Sequence, residues 1–103
     1  MPIKHIVLLP FKASLSQNEI EKVMASLEGL KKDIPQIISF SGGENNSTEN
    51  LHRGYLHGFV MEFKDETDRK IYLEHPAHVK LVKEILLPAI DETSSPLVFD
   101  YMV

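Results

Sequence analysis

Cysteine is absent from the 103 residues of this sequence. Its absence excludes a disulfide framework and a thiolate metal site. A chain without cysteine also fits the cell interior, where disulfides are rare. No apolar run approaches the length that spans a membrane, and the N-terminus shows no apolar core before a small-residue cleavage site. We therefore expect a cytoplasmic protein that does not enter a membrane.

Clustered positive charge is missing as well. The formal net charge is −4, and adjacent basic residues occur only as the pairs Lys31-Lys32 and Arg69-Lys70. Because binding to nucleic acid depends mainly on clustered basic side chains, this composition argues against nucleic acid as a partner.

The residues that are present have the proportions of an ordinary globular protein, with 43% hydrophobic and 25% charged residues. The length fits one domain over residues 1–103. A domain of this size has a high ratio of surface to volume, so it would gain from the additional burial that a homodimer provides.

Six segments show the patterns of regular secondary structure. A capping box, Ser16-Gln17-Asn18-Glu19, starts a first helix that should end near Lys31-Lys32, and a second helix starts at residue 65 and is broken and restarted by Pro76. Runs of β-forming residues predict four strands at 4–11, 36–41, 54–63 and 97–101. The order β-α-β-β-α-β predicts an α+β protein of the ferredoxin-like class, with a four-stranded antiparallel sheet and its helices on one face.

Two details of this prediction concern burial and strand ends. The pair Gly42-Gly43 is expected to stop the second strand. After Pro76, residues at helical spacing are expected to face the core, namely Val79, Val82, Ile85 and Leu86.

Both faces of the predicted sheet are apolar. His5, Val7 and Leu9 alternate with Ile6 and Leu8 along the first strand, so neither face is polar. Helices cover only one face of such a sheet, and a large apolar face must be covered by something else. A second copy of the same sheet is the simplest cover, which predicts a homodimer whose two sheets enclose a barrel.

The side chains best suited to proton transfer and hydrogen bonding lie in the stretch Tyr72-Leu73-Glu74-His75-Pro76-Ala77-His78-Val79. Histidine changes charge near neutral pH, and a tyrosine hydroxyl can donate a hydrogen bond to a developing oxyanion. His5 and His57 lie on apolar faces of two strands and are candidates for the same site. The alternative is that each histidine is a hydrogen-bonded core residue or, before Pro76, a helix cap.

The chain resembles the stress-responsive A/B barrel family of dimeric α+β barrels over essentially its whole length. The segments that carry the resemblance are Ile3-Lys4-His5, Phe11-Lys12, Asn50 to His57, Tyr72 to Val79, and Leu97-Val98-Phe99-Asp100-Tyr101. Within the family it is similar to plant polyketide cyclases and to heat- and boiling-stable stress proteins.

Similarity to the cyclases implies an aldol condensation of a linear polyketide without metal or organic cofactor. By that resemblance His78 is the general base, Tyr72 hydrogen-bonds the substrate carbonyl or enolate oxygen, and His5 and His57 line the same cavity. Candidate substrate contacts are apolar residues of the first helix and two strands: Met24, Leu27, Val7, Leu9, Phe59 and Met61.

Several alternatives stay open from the sequence. The barrel could be only a core, in a stress or stability protein without catalytic activity, or it could bind a small apolar or polyketide-like ligand. Two further options are a monooxygenase-like activity on the same barrel and a divalent metal held by His75 and His78 with a carboxylate, although a helix break lies between the two histidines. The first two interpretations differ in one observable: an open apolar cavity surrounded by the proposed site residues.

Overall fold

A computed structural model describes all residues, Met1–Val103, and contains one four-stranded antiparallel sheet with its helices on one face. The strands are β1 (Ile3–Leu9), β2 (Ser39–Glu44), β3 (His57–Phe63) and β4 (Leu97–Met102). The helices are α1 (Gln17–Asp33), α2 (Glu66–Glu74) and α3 (Pro76–Leu81), and α3 continues through a π-helical stretch (Val82–Leu86) into a last turn (Leu87–Ala89). The strand order β2-β3-β1-β4 is that of the ferredoxin-like α+β fold, as the sequence predicts.

Both helix starts follow the local chemistry of the sequence. The Ser16 side chain accepts a hydrogen bond from the Glu19 backbone N–H, and the Glu19 side chain accepts one from the Ser16 backbone N–H, which completes the predicted capping box. At the start of α2 the Asp65 side chain accepts from the Asp68 N–H. None of the helices is both long and apolar enough to cross a membrane.

The inner face of the sheet packs against the helices and forms the core. Residues of β1 alternate between this buried face and the outer face, with Ile3, His5, Val7 and Leu9 inside. The outer face carries the other alternation set: Lys4, Ile6 and Leu8 of β1, Gly58, Val60 and Glu62 of β3, Ser39, Ser41 and Gly43 of β2, and Leu97, Phe99 and Tyr101 of β4.

The prediction that Gly42 and Gly43 stop the second strand is wrong. They lie within β2 and pair with Phe59 and Gly58 of β3. A Cβ on Gly42 would lie 2.9 Å from the Gly58 carbonyl oxygen and 2.9 Å from the Phe59 Cβ. Glycine is therefore used here for a close approach between strands and not for a turn.

The third strand begins later than predicted. Arg53 and Gly54 have φ values of 55° and 87°, which form a turn and cannot continue a strand. The chain enters β3 only at His57.

The burial predicted for the segment after Pro76 is only partly right. Val79 and Ile85 are exposed, whereas Leu81, Leu86 and Ala89 are buried. Within the π-helical stretch the Leu87 N–H donates to the Val82 carbonyl, five residues back, so the spacing of inward side chains departs from that of an α-helix.

We expect replacement of Gly42 by alanine to destabilise the fold by about 1–3 kcal/mol, because the added methyl group has no room between β2 and β3. Gly29 in α1 is the matched control, since a Cβ there meets nothing within 4 Å, and alanine should stabilise the helix by about 0.5–1 kcal/mol. Urea unfolding at fixed protein concentration measures both changes. Equal stability of the two variants would contradict the close approach at Gly42.

Candidate functional site

A cavity of about 390 Å³ lies between the inner face of the sheet and the helices. A volume of this size is within the range of small-molecule sites. Most of its lining is apolar, and the remaining lining residues include polar and charged side chains. The lining residues are His5, Val7, Leu27, Phe59, Arg69, Tyr72, Leu73, His78, Val82, Leu86, Pro96, Val98 and Asp100.

The helix break at Pro76 decides how Tyr72 and His78 meet. In an unbroken helix the Leu73 carbonyl would accept from the Ala77 N–H, but that N–H donates instead to Nδ1 of His75, which caps α3. The Leu73 carbonyl is thereby free, and Nδ1 of His78 donates to it over 3.1 Å. The rings of Tyr72 and His78 then lie with their centroids 4.4 Å apart.

This hydrogen bond fixes the tautomer of neutral His78. A carbonyl oxygen only accepts, so Nδ1 carries the proton and Nε2 carries the lone pair. Burial lowers the pKa of His78, the Leu73 carbonyl raises it, and the nearby His5 and His75 lower it further. The net direction is downward, so His78 is a neutral base at pH 7.

Tyr72 is a hydrogen-bond donor, in contrast to Nε2 of His78, which carries a lone pair. Burial raises the pKa of its hydroxyl well above the ordinary value, and the negative charge of Asp100 raises it further. The hydroxyl has no hydrogen-bond partner within the chain and is not sealed inside the core. Tyr72 is therefore a protonated donor that can serve a ligand in the cavity.

His5 belongs to a second polar group in the same cavity. Its Nδ1 donates to Oδ1 of Asp100 over 2.8 Å, and Nη1 of Arg69 donates to Oδ2 of the same carboxylate over 3.0 Å. His5 is buried between aromatic rings, with the Tyr72 centroid 5.8 Å away. The carboxylate thus orients the imidazole and balances the guanidinium charge.

Asp100 and Arg69 were missed by the reasoning from the sequence. Asp100 lies 95 positions from His5 in the chain, so no local spacing joins them. The available signal was an acidic residue in an otherwise apolar strand, at a position that alternation places on the inner face.

His57 does not line this cavity, contrary to the prediction. In the antiparallel register His57 lies opposite Leu9 whereas His5 lies opposite Met61, which separates the two histidines by about 13 Å along the strands. His57 packs edge-on to Phe11 with centroids 5.2 Å apart, and both of its ring nitrogens are buried without a partner.

The apolar residues predicted to contact substrate also fall into two groups, those that line the cavity and those that do not. Val7, Leu27 and Phe59 line the cavity. Leu9 and Met61 are fully buried in the core, and Met24 lines a separate groove between α1 and β2, together with His57. These three were predicted to touch substrate and do not reach the cavity.

His75 acts as the N-cap of α3, which was the alternative considered for a histidine before Pro76. No group of three or more His, Cys, Asp or Glu side chains is placed to hold a metal ion. The geometry therefore gives the pair His75 and His78 no third ligand.

Comparison with known sequences identifies a family and several plant relatives. The family described as the Stress responsive A/B Barrel Domain matches residues 3–103. The stress-response A/B barrel domain-containing protein HS1 of Arabidopsis thaliana is 36% identical over 100 residues, which cover 97% of this chain and 88% of HS1. Olivetolic acid cyclase of Cannabis sativa is 28% identical over 79 residues, which cover 77% of this chain and 78% of the cyclase.

Solved structures give the same fold. The crystal structure of an Arabidopsis thaliana protein superposes with a TM-score of 0.90 at 35% identity and covers 98% of this chain and 94% of its own. A protein from Jannaschia sp. CCS1, described as dimeric, ferredoxin-like and of unknown function, superposes with a TM-score of 0.84 at 27% identity and covers 100% of both chains.

We expect the NMR titration midpoint of His78 to lie below the ordinary histidine value of about 6.5, because burial disfavours the charged ring. The unfolded chain then binds more protons than the folded one. The contribution of His78 to stability is complete above about pH 6.5 and is lost as the pH falls through the folded-state pKa. A midpoint at or above the ordinary value would contradict this assignment.

We expect Asp100→Asn to destabilise the protein by about 1–3 kcal/mol, because Arg69 loses the charge it pairs with and His5 loses its charged acceptor. Asp33→Asn is the control, since Asp33 is exposed at the end of α1, where removal of a negative charge is neutral or slightly favourable. Thermal unfolding of both variants measures the difference. An Asp100→Asn variant as stable as the control would show that the charged group is dispensable.

Proposed function

The chain belongs to the stress-responsive A/B barrel family, and from that premise we propose that it is a small enzyme of enolate chemistry that needs no cofactor and resembles a polyketide cyclase. The observation that carries the proposal is the pair formed by His78 and Tyr72 at one cavity, a neutral base beside a protonated donor. The similarity to olivetolic acid cyclase supports the class of substrate. That substrate is a β-polyketide or a related β-dicarbonyl compound.

The first step of the proposed reaction is removal of an acidic proton. The C–H between two carbonyl groups gives its proton to Nε2 of His78, and the electron pair of that bond moves onto the carbonyl oxygen to form an enolate. Tyr72 donates a hydrogen bond to this oxygen, where negative charge develops. The partly apolar surroundings strengthen that hydrogen bond relative to water.

The second step forms the new bond. The enolate carbon attacks a second carbonyl carbon of the same chain, a C–C bond forms, and the attacked oxygen becomes an alkoxide that takes a proton. His5 lies at the same cavity and its Nδ1 donates to Asp100, so Nε2 of the neutral ring carries the lone pair and can accept a hydrogen bond from an enol or hydroxyl group of the substrate. The protonated His78 returns its proton, so the catalyst is regenerated without an added redox partner.

The apolar part of the cavity gives the substrate its second feature. Val7, Leu27, Val82 and Leu86 contribute apolar side chains to the lining from β1, α1 and the π-helical stretch. A ligand that combines oxygen atoms with a short apolar tail fits a cavity with both kinds of lining.

We also propose that the working unit is a homodimer formed through the outer face of the sheet. Phe99 is 63% and Leu97 is 50% exposed on that face, which is more apolar than a monomer's surface ordinarily is. The description of the Jannaschia relative as dimeric supports a dimer, and the exposed apolar face is what favours this interface.

A second candidate, a stress protein without catalysis, is favoured by the 36% identity with HS1. In that case the cavity would bind a small apolar ligand without converting it, or it would be a packing defect of the core without a function of its own. The two candidates differ in whether the protein accelerates proton exchange in a β-dicarbonyl compound.

We expect the wild-type protein to speed deuterium uptake at the carbon between the carbonyls of a β-keto thioester in D₂O, followed by NMR. His78→Ala should reduce that rate by about 10²–10⁴-fold, and Tyr72→Phe by about 10²–10³-fold, since they remove the base and the oxyanion donor. The control is His52→Ala, a loop residue outside the cavity, which should leave the rate unchanged. Folding of each variant is checked by circular dichroism.

If wild type and His78→Ala exchange the proton at the same rate, catalysis by this site is refuted and the second candidate is favoured. If His78→Ala fails to fold, His78→Gln replaces it, since the glutamine amide can still donate to the Leu73 carbonyl.

A further inference from the structure

Arg69 lines the cavity, but the proposed reaction gives its positive charge no role. On α2 it precedes Tyr72 by three positions and Leu73 by four, so the three side chains share the helix face that lines the cavity. Residues at this spacing have their Cβ atoms about 5–6 Å apart. Arg69 and Tyr72 are therefore placed to contact neighbouring groups of one small ligand.

The polar side chains of the cavity follow one another in a continuous series. The ring centroid of Tyr72 lies 4.4 Å from that of His78 and 5.8 Å from that of His5. Nδ1 of His5 then donates to Oδ1 of Asp100, and Oδ2 of that carboxylate accepts from Nη1 of Arg69. The series thus runs from the proposed base at one end to a guanidinium at the other.

The guanidinium of Arg69 is only partly used within the chain. An arginine side chain has five N–H donors, and the pair with Asp100 engages Nη1 alone. The remaining nitrogens, Nε and Nη2, have no acceptor in the chain, and they are not sealed in the core, because the only buried side-chain polar atoms without a partner are those of His57. Donors of Arg69 are therefore left for a ligand.

Asp100 satisfies Arg69 only in part. Its two oxygens are divided between His5 and Arg69, so the parallel two-bond pairing that arginine and a carboxylate favour is not formed. The Arg69 side chain keeps 27% of its surface exposed. A second carboxylate can therefore approach the free edge of the fork without displacing the first.

The charge of the lining limits what such a ligand carries. Arg69 is the only lysine or arginine of the lining, and Asp100 is its only acidic residue. A doubly charged phosphate would meet one cation that is already shared with Asp100. A carboxylate brings a single negative charge, and its two oxygens match the planar fork of the guanidinium.

From these features we infer that Arg69 is a specificity-determining residue that binds a carboxylate of the substrate. The preferred substrate is then a β-dicarbonyl compound that also carries a free carboxylate. The carboxylate accepts from Arg69, a carbonyl oxygen accepts from the Tyr72 hydroxyl, and the C–H between the carbonyls faces Nε2 of His78. The inference rests on the proposed function and adds the charge of its substrate.

The alternative is that Arg69 serves only Asp100, whose charge it offsets while that carboxylate holds His5. The two roles differ in one observable. A residue that only supports Asp100 affects charged and neutral ligands alike, whereas a carboxylate-binding residue affects the charged ligand alone.

Binding of levulinate and of its neutral methyl ester, measured by calorimetry, tests this difference without turnover. We expect the wild-type protein to bind levulinate about 10- to 100-fold more tightly than the ester, because a charge-assisted hydrogen bond is lost in the ester. Arg69→Gln should remove this preference. Lys70→Gln is the matched control, since it makes the same change of charge at the next position of α2, on an exposed side chain outside the lining, and should keep the preference.

Equal affinity of the wild-type protein for the two compounds, or no binding of levulinate, would overturn the inference. These results need no variant, so they decide the matter even if Arg69→Gln does not fold. A preference for levulinate that survives in Arg69→Gln, with the variant folded by circular dichroism, would also overturn it. So would an equal loss of affinity for both compounds.

Deuterium uptake by acetylpyruvate and by its methyl ester separates this inference from the proposed function. After subtraction of uncatalysed exchange, we expect Arg69→Gln to raise KM for acetylpyruvate by about tenfold or more and to leave KM for the ester and both kcat values unchanged, since Arg69 binds substrate and transition state alike. An Arg69→Gln variant with the wild-type KM for acetylpyruvate would contradict the carboxylate site. No catalysed exchange in either compound, with levulinate still preferred, would refute the enzyme and leave the carboxylate site standing.

Discussion

The helix break at Pro76 is the constraint on which the site depends. Proline has no N–H and starts α3, while His75 turns its own side chain to cap the new helix. The Tyr72 carbonyl, whose usual donor would be residue 76, accepts from the His75 N–H, and the Leu73 carbonyl, whose usual donor would be Ala77, takes the Nδ1 proton of His78. A local rule of helix termination thus sets the tautomer of a buried histidine and aligns it with Tyr72.

The sheet supplies the second half of the site. β1 is a central strand with its inner face in the core, and His5 interrupts that apolar face where β4 brings Asp100 alongside. Arg69 reaches the same carboxylate from α2, so three elements converge on one charge. The result is a cavity lined by two imidazoles in different surroundings, since His78 is held by a backbone carbonyl and His5 by a carboxylate.

Much of this could be predicted from the sequence because it is local. The capping box at Ser16, the restart at Pro76 and the alternation of β1 each involve residues a few positions apart, and the six elements follow in the predicted ferredoxin-like order. The predictions fail where contacts between segments distant in sequence determine the structure. The sequence pattern at Gly42 predicts the end of a strand, whereas the structure uses glycine there because β3 packs closely against it.

In the site, too, residues close in sequence could be predicted to lie together, whereas residues far apart in sequence could not. Tyr72 and His78 are close in sequence and were paired correctly, whereas the partnership of His5 with Asp100 spans nearly the whole chain. His57 was assigned to the right face of its strand, but alternation gives no register, and the register places it beside Phe11 and away from His5. Side-chain periodicity identifies a face, and only strand pairing locates a residue along it.

The most direct test of the site is a crystal structure with a bound cyclic 1,3-diketone, whose enolate resembles the proposed intermediate. We predict that its oxygen lies within hydrogen-bond distance of the Tyr72 hydroxyl, with the carbon between the carbonyls facing Nε2 of His78. The central claim would be contradicted by a diketone bound outside the cavity, or bound inside it with His78 turned away from that carbon.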